Sequence, residues 1–72
     1  MIDQRSTEEL VRIAVAGGGF TLNGAHRSTE DLVRIAVAGG GKVRLTFTGL
    51  ANRTTDDLVR IAVARRGSVE FA

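Results

Sequence analysis

The chain reads as an α/β repeat fold. Three helix–strand units stack as a two-layer solenoid, with three helices on one face of a three-stranded parallel sheet in order 1-2-3. Three observations predict it. The heptapeptide LVRIAVA occurs at 10–16, 32–38 and 58–64. Each copy follows a Ser or Thr with an acid three residues beyond it. Each is trailed by a segment in which apolar and polar residues alternate. The repeats run over about 5–26, 27–52 and 53–72 and make one domain, as 72 residues suggest.

The first element of each unit is predicted as a helix. Ser6 and Glu9, Ser28 and Asp31, and Thr54 and Asp57 stand in capping-box spacing. There the hydroxyl takes an orphan backbone N–H, and an acid in the first turn suits the helix dipole. Asp in the second and third copies is shorter than the preferred Glu, so reciprocal bonding is expected most clearly in the first. Glu8 and Arg12, Glu30 and Arg34, and Asp56 and Arg60 are spaced i, i+4 with the acid first, the favourable order on a helix. Glycines then close the first two copies, as helix C-termini prefer. Against this, Val11, Ile13 and Val15 alternate and favour strands intrinsically. Caps and i, i+4 pairs serve nothing in a strand, so the helix reading prevails.

The second element of each unit is predicted as a strand. Phe20 and Leu22 alternate with Thr21 and Asn23. Val43, Leu45 and Phe47 alternate with Lys42, Arg44, Thr46 and Thr48, and Val69 and Phe71 alternate with Ser68 and Glu70. Period two means one buried and one wet face. Short connections set each helix antiparallel to its strand, so all strands point one way. Right-handed crossovers of constant direction then give order 1-2-3 with every helix on one side.

A strand-plus-helix unit of 22 to 26 residues resembles the leucine-rich-repeat architecture, in layout and over most of the chain. LTFTGLAN, Leu45 to Asn52, carries leucine, phenylalanine and asparagine near the places such repeats use. TEDLVRIAVAGGGK, Thr29 to Lys42, resembles the first helix and loop of TAL-effector DNA-binding repeats, over about a fifth of the chain. That second resemblance implies another helix after the glycines, where the alternation predicts a strand.

Composition narrows the function. There is no cysteine and a single histidine, His26, so disulfides, thiolate metal sites and a metal cluster are not expected, nor is any cofactor. No secretion signal or membrane-length apolar run is read, and the expected place is the cytoplasm, away from membrane. A dinucleotide loop needs strand, G-x-G-x-x-G, then helix. Gly17 and Gly19 fit, but Leu22 takes the third glycine's place, Arg44 takes it in the second copy, and a strand pattern follows. The paired acids Glu8–Glu9, Glu30–Asp31 and Asp56–Asp57 point about 100° apart on a helix and do not converge. His26 reads as a solvated loop residue with no catalytic partner. No enzyme is expected.

Arginines form two rows across the repeats: Arg12, Arg34 and Arg60, and Arg5, Arg27 and Arg53. The first row has an acid one turn earlier in each copy. Lys42, Arg44, Arg65 and Arg66 are less compensated and are the candidate phosphate contacts of a small nucleic-acid-binding module, although no aromatic accompanies them on the wet strand face.

The leading expectation is a protein-protein interaction role. Ordering a residue costs roughly 1.5 kcal/mol and burial returns about 25 cal/mol per Å², so a core this small is marginal and association would help it. Leu10, Val11, Ile13, Ala14 and Val15 span roughly 200° of helix, about twice what rest on a sheet alone needs. Helices one and three carry this arc with one neighbour each. Leu10, Val11, Val15, Leu58, Val59 and Val63 are therefore the expected interface, with the chain itself as partner in a homo-oligomer, or another protein. The identical heptapeptides also fit a recently duplicated or engineered repeat without activity, though the unequal linkers speak against design.

Overall fold

The computed structural model of the chain describes residues 2–40, 43–64 and 69–72. Lys42, Arg65 and Arg66, three of the four candidate phosphate contacts, lie outside them. A 3-10 helix at Ile2–Gln4 leads into α1 (Thr7–Val15), β1 (Phe20–Asn23), α2 (Thr29–Gly39), β2 (Leu45–Thr48), α3 (Thr55–Ala64) and β3 (Val69–Phe71). The three strands form one parallel sheet in order β1-β2-β3. Phe20, Leu45 and Val69 share one register line, and Leu22, Phe47 and Phe71 another. The segment Leu45–Thr48 is a strand, so the second helix implied by the TAL-effector resemblance is not formed there.

The caps start the helices as the spacing requires. The Ser6 hydroxyl accepts from the Glu9 N–H at 3.1 Å, and Glu9 Oε1 accepts from the Ser6 N–H at 3.0 Å, a complete capping box. Ser28 and Thr54 accept from the N–H groups of Asp31 and Asp57, each at 3.1 Å. Neither aspartate closes the box, because its side chain is one methylene shorter. At the other end, Gly40 caps α2 with φ +63°, a left-handed conformation that costs residues with a Cβ. Gly19 serves a close approach instead: a Cβ there would lie 2.7 Å from the Arg44 carbonyl oxygen.

One face of the sheet meets the helices. Leu22, Leu45 and Phe47 from the strands are fully buried with Leu10, Leu32, Ile35 and Ile61 from the helices, and Leu50 joins them from the loop before α3. Thr21, Asn23 and Glu70 on the opposite face are exposed, and Thr46 and Thr48 are half-buried. The alternation therefore holds in β1 and β2. In β3, Val69 is half-buried and Phe71 exposed, whereas β1, the other edge strand, has the 3-10 helix at Ile2–Gln4 beside it and keeps Leu22 buried.

Candidate interaction surface at the two ends of the stack

Repetition makes the helix layer its own control. Any position can be compared in a helix with two neighbours (α2) and in helices with one (α1, α3). Ile35 and Ile61 are fully buried, whereas the matching Ile13 is half-exposed. That position faces the preceding α-helix, and among the described residues only the short 3-10 helix at Ile2–Gln4 precedes α1. Leu10, Leu32, Ala14 and Ala36 are buried, whereas the matching Leu58 and Ala62 are partly open. Val11 and Val33 are half-buried and the matching Val59 is 52 % exposed. Those positions face the following helix, which α3 lacks among the described residues. The two open flanks thus present different residues of one repeating contact.

The residues expected at an interface from the sequence do not share one surface. Leu58 and Val59 do lie on the open flank of α3. Leu10 does not lie on the open flank of α1: it is fully buried in the core. Val11 lines a groove of about 340 Å³ between α1 and α2, with Val33, Arg34, Val37 and Ala38. Val15 and Val63 are 68 % and 54 % exposed, yet Val37 on the central helix is 46 % exposed as well. This position faces outward in every copy and does not report a missing neighbour. Five residues beyond the leucine, it has turned well past the side of the helix that a sheet contact covers. The open flank of α1 is instead a groove of about 550 Å³ lined by Ile2, Arg5, Glu9, Arg12, Ile13 and Ala16.

The arginine rows tie neighbouring repeats together. The i, i+4 pairs expected within each helix do not form. Arg34 reaches back to Glu8 of the preceding helix, and Arg60 to Glu30 at 3.1 Å. Helical geometry explains the choice. The acid stands two residues before the leucine and the arginine two after it, so the two straddle the outer ridge, opposite the core. The acid leans over the groove toward the next helix and the arginine toward the previous one, so they meet between helices. The Arg60 hydrogen bond holds the Glu30 carboxyl below its ordinary pKa, and the Glu8 hydrogen bond raises the Arg34 pKa.

The second row bonds the loops. Arg27 donates to Thr7 Oγ1 at 2.9 Å, to the Asp3 carbonyl at 3.2 Å and to the Arg5 carbonyl. Arg53 repeats this one unit later, donating to Thr29 Oγ1 and the Gly24 carbonyl, both at 3.0 Å, and to the Arg27 carbonyl. Guanidinium suits the task because it presents five donors in a fixed plane. The sequence offered the row as a basic stripe. Its position just before a cap, where loop carbonyls point outward, was the signal for a structural tie.

Both rows leave partners over at the ends. Arg5, first of its row, pairs with Glu9 of α1 at 3.6 Å, and the Arg12 guanidinium has no ion-pair or hydrogen-bond partner among the described residues. At the far end, Asp56 and Thr55, the counterparts of Glu30 and Thr29, are likewise without one among those residues. Elsewhere, Arg44 sits 3.6 Å from Glu70 of β3 across the wet sheet face, so its charge is compensated. His26 is exposed, as expected for a loop residue. No described helix is long and apolar enough to cross a membrane. No family model, curated protein or solved structure significantly matches this chain.

Proposed function

We propose that this chain is a non-enzymatic repeat protein that works by protein-protein interaction and associates with itself through the open ends of its helix layer. One observation carries the reading. Leu32 and Ile35 are buried in the central repeat and Val33 is half-buried, and the matching Leu58, Ile13 and Val59 lose that cover at the ends. A side chain of this size gains about 1.5–3 kcal/mol on full burial, and a core of this size has little to spare. Partner surface over these flanks completes contacts that the same heptapeptide already makes inside the chain.

Val59→Glu tests this, since Val59 is exposed in the single chain and the change leaves the core alone. It is expected to raise the dissociation constant of the assembly by an order of magnitude or more, while the far-UV spectrum stays unchanged. Equal dissociation constants for the two proteins, measured by dilution, would remove the α3 flank from the interface.

A further inference from the structure

Resting on the self-association reading, we propose that the contact is heterologous: the α3 end of one copy takes the α1 end of the next, as though α1 were the helix following α3. A second copy is the occupant because each end carries the groups the other lacks. Inside the chain every junction has the same parts. The arginine of the later helix meets the acid of the earlier one, as Arg34 meets Glu8 and Arg60 meets Glu30. The loop arginine meets a threonine hydroxyl and two carbonyls. At the α1–α2 junction the valine of the earlier helix lines one groove with the arginine and alanine of the later one, Val11 with Arg34 and Ala38.

The α1 end holds the later helix's half of this junction: Arg12, Arg5, Ile13 and Ala16, around its open groove. The α3 end holds the earlier helix's half: Asp56, Thr55, Leu58 and Val59. Joined in the internal geometry, Arg12 faces Asp56 of the neighbouring copy, Arg5 faces Thr55 and the Leu50 and Arg53 carbonyls, and Val59 enters the groove beside Ala16. An isologous contact joins like ends, so it could not bring Arg12 to Asp56 or Arg5 to Thr55 as the internal junctions do for their counterparts. Each copy keeps one free end, so the contact propagates.

Two blocked proteins separate the possibilities. One carries Arg12→Glu with Ala16→Glu and has only its α3 end intact. The other carries Val59→Glu and has only its α1 end intact. Each alone is expected to have the mass of a single chain in light scattering, and an equimolar mixture the mass of one pair, with no further growth. The inference is overturned if the mixture stays single while the wild-type protein associates, or if either blocked protein alone associates like the wild type, which is the mark of an isologous contact. A wild-type protein that stays single overturns the self-association reading itself. Should a blocked protein lose helicity, exposed charges serve instead. Arg12→Glu and Asp56→Arg should each weaken association about tenfold, and the double variant in one chain should restore it. Failure of the double variant to restore it argues against the polarity.

Discussion

At the scale of the residue, arginine does the joining and does it in two ways. Arg53 is the clearest case. Its guanidinium spans a hydroxyl and two carbonyls of the preceding loop. Hydrogen bonds to charged groups contribute about 1.5–3 kcal/mol each, and truncation leaves acceptors behind. Arg53→Ala should cost about 2–3 kcal/mol in urea denaturation, and Arg53→Lys should recover only part, since an ammonium cannot match the planar fork. An unchanged midpoint for Arg53→Ala would mean the loop tie contributes nothing. Glu9 is a second case. The Ser6 N–H hydrogen bond, helped by the nearby Arg5 charge, holds its carboxyl below the ordinary range. A depressed carboxylate stabilises the fold above the unfolded-state pKa of about 4.3. That stabilisation is lost as pH falls through the lower folded value. The melting temperature should therefore drop below about pH 4, and Glu9→Gln should flatten that drop. Parallel curves for the two proteins would contradict the role given to Glu9.

At the scale of the element, helices and strands were legible because each rests on local chemistry. Ser6, Ser28 and Thr54 mark the helix starts, and Leu22, Leu45 and Phe47 give the strands their buried period. Gly40 marks a stop, and Gly40→Ala should cost about 1 kcal/mol for a Cβ in the left-handed region, read by thermal denaturation. What the sequence left hidden depends on how elements face one another. The apolar arc has two sides, and its width alone does not say which side of α1 meets α2. Leu10 was therefore expected on an open flank and lies in the core, whereas Ile13 was not expected and lies open. Strand order with crossover hand was the signal that could have separated them. The ion pairs went the same way. Glu8 and Arg12 fit an intrahelical pair by spacing, but Glu8 is taken by Arg34 of the neighbouring helix. Spacing cannot register a competitor 26 residues away.

At the scale of the molecule, the repeats stack by one rule, and among the described residues the outer flanks of α1 and α3 each carry half of its contacts. Arg12 and Asp56, Ile13 and Val59 are halves of a junction that the chain completes twice internally. Association through those halves gives a polar assembly without a built-in limit. The matching internal pairs, Arg34 with Glu8 and Arg60 with Glu30, are exposed, so added salt should weaken their proposed counterparts between copies while the apolar contact persists. The most direct measurement is the weight-average mass across a concentration series, by light scattering from low micromolar upward. The expected result is a mass that climbs with concentration and passes that of a dimer without a plateau. A mass that stays at one chain throughout would contradict self-association, and a plateau at two chains would contradict its head-to-tail form.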